Sequence, residues 1–253
     1  MPNGNDLAGW MTAGELRLRE LLDQLEVSPF RFGFWTFAYQ VRGNFEIEDL
    51  DRLALILGRV QGNETGWPPW WVPGREAIRP YVHGDNLECW LGAEGFWGGP
   101  GHSDLWRASL DGSLFLARGY QSDELPEIEA GAGFEVSLPI WRVGECLKHV
   151  ERFSFAICDE SVPVDVQITW KGLQNRRLFR YSWWRDRIAV PETAIAQNDS
   201  VTTSLSFESG DINNHLVRIV RNLTQPLYQN FNFYPLPAGY IRRNLHFIEE
   251  GDD

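Results

Sequence analysis

Two apolar runs, Leu105–Ser109 and Leu114–Arg118, lie on either side of Asp111-Gly112. Glycine takes positive φ at no steric cost and aspartate tolerates it, so this dipeptide turns the chain back on itself as a hairpin. A hairpin imposes antiparallel pairing. Leu87–Leu91 is a third run of the same kind, bounded by turn residues, and is expected to form another strand. The middle of the chain is thereby committed to an antiparallel sheet, and the rest has to cover it.

The cover reads as helices. Thr12 and Glu15 have capping-box spacing, and Leu18, Leu21, Leu22 and Leu25 form a stripe, which predicts a helix over 12–27 ended by Ser28-Pro29. Phe30–Val41 is aromatic and reads as a short strand or buried hairpin. A second helix is expected over 46–60. Gly62–Pro80, with four prolines and three tryptophans, reads as an ordered belt and as a soft boundary between an N-terminal helical segment (1–61) and an α+β accessory or regulatory domain (62–253). The stretch Gly119–Gly133, rich in acids, is expected to be a solvated loop, followed by a strand over Phe134–Ile140 and a helix over 142–157. Val164, Val166, Ile168 and Trp170 alternate with polar residues as in a half-buried strand, and Arg177–Tyr181 is expected to pair with it across a turn at Gly172. Val201–Phe207 alternates in the same way. Asp211 is placed as the cap of a helix carrying Ile212, Leu216, Ile219, Val220 and Leu223, Pro226–Pro237 as an aromatic connector, and Ala238–Ile248 as a last helix. The sum is an α+β fold, a central mostly antiparallel sheet with flanking helices.

The 253 residues are 43% hydrophobic and 23% charged, an ordinary globular mix that argues against a disordered tail or a disulfide mini-protein. No apolar run reaches the roughly 18 residues of a spanning helix, and no basic-then-apolar start marks a secretion signal, so a cytoplasmic protein away from membranes is expected. Cys89, Cys146 and Cys158 then read as free thiols, and the sequons at Asn63, Asn198 and Asn222 as unused. The net charge of −12 argues against a general nucleic-acid coat. One stretch runs the other way. Lys171, Arg176, Arg177, Arg180, Arg185 and Arg187, against Asp186 alone, give +5 locally, interleaved with Tyr181, Trp183 and Trp184. Guanidinium forks pair with phosphates and rings stack on bases, so this stretch is a candidate surface for nucleic acid or a protein partner. The plainer reading of the same stretch is an edge strand kept soluble by arginines. Most of the 12 tryptophans are expected in the core, but Trp67, Trp70 and Trp71 share one loop and form a candidate partner-binding loop.

Catalytic constellations are sparse. His83 with Asp85 and His102 with Asp104 are HxD pairs in loops without an evident third ligand, and no CxxC occurs, so no metal and no cofactor are expected. Thr169, not an acid, stands two residues before Lys171, which breaks the acid-x-Lys pattern of metal-dependent nucleases. Cys146 and His149 are neighbours on a helix but read as packing residues. No nucleophile elbow and no phosphate-cradling loop appears.

Six blocks in order, GWPPWWVP (66–73), LECWL (87–91), DLWRASLDGSLFLARGYQ (104–121), LPIWRVGE (138–145), WKGLQNR (170–176) and PLYQNFNFYPLP (226–237), carry a resemblance. Residues 62–245 are similar to the little-characterised C-terminal region of bacterial proteins that begin with a Schlafen-type AlbA-like domain and carry ATP-binding, DNA-binding or transcriptional-regulator labels. The AlbA-like domain, to which those labels belong, is not expected within residues 1–61, so no catalytic residue carries over. The resemblance implies a sensing, regulatory or docking module working beside a separately encoded effector, as in bacterial antiviral defence. The expectation is a non-enzymatic cytosolic binding module with a macromolecular, foremost protein, partner. The alternatives are nucleic-acid binding through 171–187, and a metal-dependent hydrolase or nuclease built on His83, Asp85, His102 and Asp104.

Overall fold

The computed structural model describes residues 6–62, 64, 66–92, 99–181 and 188–250, with backbone alone for 247–250. Nine strands and five helices are described. Seven strands form one antiparallel sheet in the order β2-β3-β4-β5-β1-β7-β9, built from Tyr81–His83 (β2), Asn86–Trp90 (β3), Asp104–Ser109 (β4), Ser113–Gly119 (β5), Phe34–Val41 (β1), Pro163–Lys171 (β7) and Ser200–Glu208 (β9). The Asp111-Gly112 turn joins β4 to β5 as expected, with Gly112 at φ 76°. The fold is α+β, as read from the sequence.

Strand β1 sits between β5 and β7 and hydrogen-bonds to both. Strand β1 is therefore an inner strand of the sheet. Both faces of this strand are covered, which is why it reads as an aromatic run with little alternation. Trp35, Phe37, Tyr39 and Val41 face the larger core. Ala38 joins Leu105, Phe115 and Ala117 under helix α1 (Leu7–Leu22) on the other face. The larger core lies beneath α2 (Leu50–Val60), α3 (Leu138–Cys158), α4 (Asp211–Asn230) and α5 (Ala238–Glu250).

Several boundaries differ from the sequence reading. Helix α1 begins at Leu7, because Trp10 and Met11 extend its buried face and the Asp6 carboxylate accepts from the Ala8 N–H. Thr12 lies inside it and donates to the Ala8 carbonyl. The strand expected over 134–140 stops at Glu135 (β6, Gly133–Glu135), and α3 starts at Leu138. Proline in the first turn favours that start, and the Glu135 carboxylate accepts from the Ser137 and Leu138 N–H groups. Strand β8 (Arg177–Phe179) does not pair with β7. It runs parallel to β6 in a separate two-stranded sheet, and β9 takes the place beside β7. Helix α4 passes through Pro226, since Leu227 and Tyr228 are needed in the core and the Tyr228 hydroxyl donates to the Val136 carbonyl at 2.6 Å. Strand β2 was not expected. Its residues are all exposed, so burial leaves no pattern to read.

Candidate binding surfaces

The tryptophan loop is fixed from below by a cross-strand ion pair. Asp104 on β4 lies opposite Arg118 on β5. The Arg118 Nε and Nη2 donate to the two Asp104 oxygens at 2.7 and 2.6 Å. The remaining guanidinium donors reach the Trp67 and Pro68 carbonyls at 3.2 Å, and the Trp67 indole donates to Asp104 at 3.0 Å. Both charges are buried, so the pair holds only because nearly every donor and acceptor is used. Trp70 is wholly buried with its indole on the Phe115 carbonyl, and Trp106 donates to the Trp71 carbonyl. Trp70 is thus a core residue and not part of a docking surface. Trp67 and Trp71 meet edge to face at 5.1 Å, His102 stands perpendicular to Trp67 at 5.2 Å, and with Pro68 and Gln61 they wall an open cleft of about 410 Å³. Asp104, one of the acids singled out for metal binding, is spent on Arg118 and Trp67, while His102 faces Glu124 at 3.1 Å and His83 faces Glu88 at 3.4 Å. Among the described residues no group of three or more His, Cys, Asp or Glu is placed to hold a metal ion.

The basic stretch divides. Arg176 is fully buried. Its guanidinium donates to both Asp123 oxygens at 2.6 and 2.9 Å and to the Gly172, Gly133 and Phe32 carbonyls, and it lies over the Tyr120 ring. This corrects the surface role expected of it and the solvated state expected of Asp123, whose carboxylate is 1% exposed, while Glu127 and Glu129 of the same 119–133 loop are exposed as expected. Gly33 makes room. At φ 139°, a Cβ there would stand 2.5 Å from the Lys171 carbonyl and 3.2 Å from the Arg176 guanidinium. Lys171 is half-buried and pairs with Glu15 of α1 at 2.6 Å. Tyr181 donates to Glu127. Arg177 is exposed and Arg180 half-buried. Trp183, Trp184, Arg185 and Arg187 lie outside the described residues.

Two interior features resemble chemistry without the setting for it. His149 is buried between the Trp70 and Phe153 rings, its Nδ1 3.2 Å from the Tyr39 hydroxyl. Burial, with the Arg152 charge nearby, pushes its pKa down to about 3 and keeps it neutral. Burial likewise pushes the Cys146 thiol up, so the neighbouring pair is an uncharged packing pair. A cavity of about 30 Å³ between Trp35, Tyr120, Phe134 and Trp170 has room for water and not for a metabolite, whose pocket needs about 300 Å³ or more. Glu135 at its wall is held protonated more readily than usual by burial.

A groove of about 520 Å³ between α4 and the start of α5 escaped the sequence reading. A signal was present: from Ile212 to Ile248 the chain carries four arginines and no acid. No family model, curated protein or solved structure matches the chain. Among the described residues no helix is long and apolar enough to cross a membrane.

Proposed function

We propose that this chain is a non-enzymatic binding or regulatory module that docks a separate protein partner at the Trp67–Trp71 cleft. The observation that carries the reading is an open cleft walled by two indoles, a proline and an imidazole, on a loop bolted to the sheet by Arg118 and Asp104. Rigid aromatic surface loses little conformational entropy on binding, which makes it an efficient anchor for a partner. The neighbouring charged groups are already committed to one another, as Arg118–Asp104 and His102–Glu124 are, which leaves the cleft shape and apolar contact to offer. The resemblance of residues 62–245 to an accessory region supports a partner encoded separately, in the cytosol, such as an effector in antiviral defence.

The test places a photo-crosslinking amino acid at Trp71, identifies the captured protein, and reconstitutes the complex from purified components. Trp71→Ala is expected to weaken it at least about tenfold, the effect of losing roughly 1.4 kcal/mol at an aromatic anchor, with the folded secondary structure retained. An undiminished affinity in Trp71→Ala would place the docking surface elsewhere.

A further inference from the structure

The groove between α4 and α5 gathers three arginines on a chain whose net charge is −12. Arg218 and Arg221 stand one turn apart on α4, and Arg242 approaches from α5. None of the three makes an ion pair with a described residue, in contrast to Lys171, Arg118 and Arg176. The opposite face of α4, with Ile212, Leu216, Ile219 and Leu223, is buried, so the arginines are presented outward by a helix that cannot rotate. Asn214, Asn222 and Gln225 add amide donors along the same rim. No acid lies between residues 212 and 248, and none lines the groove. At one end of the groove, Tyr234 is 55% exposed and lines a small hollow together with Arg221 and Gln225.

We infer that the α4–α5 groove binds single-stranded nucleic acid, with Arg218, Arg221 and Arg242 on successive phosphates and the Tyr234 ring as a stacking face for a base. Guanidinium forks and amides serve phosphodiester oxygens, and an exposed ring beside them is what a strand of bases uses and an acidic peptide does not. The acidic remainder of the molecule repels polyanions, which confines contact to the groove. This site is separate from the Trp67–Trp71 cleft and from residues 171–187, and stands or falls independently of them.

The experiment measures fluorescence anisotropy of labelled oligothymidylate and oligouridylate with the full chain across a salt series. Three phosphate contacts on a single strand predict a log–log slope of about −2, so affinity falls roughly twentyfold between about 50 and 200 mM salt. The triple variant Arg218→Ala/Arg221→Ala/Arg242→Ala is expected to abolish the salt-dependent binding. The corresponding triple lysine variant keeps most of the slope, which separates loss of charge from loss of fold. Tyr234→Ala is expected to weaken binding about tenfold at constant slope. Arg177→Ala/Arg180→Ala leaves binding unchanged. Absent or salt-insensitive binding, loss in the 177/180 variant instead of the groove variant, or equal displacement by poly-glutamate would each overturn the assignment.

Discussion

Arg176 connects parts of the chain far apart in sequence: the turn before β1, the 119–133 loop, β6 and the turn after β7 all accept from it or face it. Truncating it leaves Asp123 buried without a countercharge and three carbonyls without a donor. Arg176→Ala is expected to cost about 3–5 kcal/mol of stability. Pairing Arg176→Met with Asp123→Leu should recover most of that loss in denaturant unfolding, because no lone charge remains. A single variant within about 1 kcal/mol of the parent would contradict this account of the site. His149 sets a dependence on pH. Its folded pKa, about 3, lies below the unfolded value near 6.5, so the unfolded chain takes up the proton first. Its contribution to stability is complete above about pH 6.5 and is lost as pH falls toward 3, by roughly 1.4 kcal/mol per unit. Urea unfolding at several pH values should show that slope in the parent and its absence in His149→Gln. Parallel slopes would show that the ring is not the source.

Among the elements, α3 makes the clearest experimental case. It carries Cys146 buried in its middle and Cys158 half-exposed at its end, while Cys89 is buried on β3. One thiol, that of Cys158, should react quickly with a maleimide in the native protein and all three after unfolding. Cys158→Ser should remove the fast reaction, and a fast phase surviving in that variant would mean that α3 or β3 opens readily. The same contrast in burial explains what was legible in the sequence. Strand β7 and helix α2 were readable because one set of residues is buried at a regular period, as in Val164, Val166, Ile168 and Trp170, whereas β4 and β5, buried along their whole length, were readable as apolar runs on either side of the Asp111-Gly112 turn. The pairing of β8 was not, because nothing in Arg177–Phe179 names β6 as its partner. That choice follows from Arg176, which is anchored on the Gly133 carbonyl and delivers the next residues alongside it. A run of arginines looks like surface in any linear reading, and only the distant Asp123 reveals which one is interior. The Trp67 and Trp71 cleft was legible as a loop, and its inward member Trp70 was not distinguishable from its neighbours. The α4–α5 groove was visible in principle as an acid-free stretch, but its three arginines, Arg218, Arg221 and Arg242, come from two helices and become one surface only when those helices pack.

Over the whole molecule, one face of the sheet carries α1 and the other carries α2 to α5, with the cleft and the groove built from different parts of the chain. The feature that ties these layers together is the position of β1, which leaves its neighbours β5 and β7 to be supplied about 70 and 120 residues later. Synthesis runs from the N-terminus at a pace far slower than collapse. Phe34–Val41 therefore emerges from the ribosome as a bare aromatic strand with neither flank satisfied; β5 can cover one flank once Gly119 has been added, and the other stays open until Lys171. The protein acquires its sheet only late in translation, and a ribosome stalled before that point holds a nascent chain with at least one adhesive strand edge, the kind of segment chaperones exist to shield.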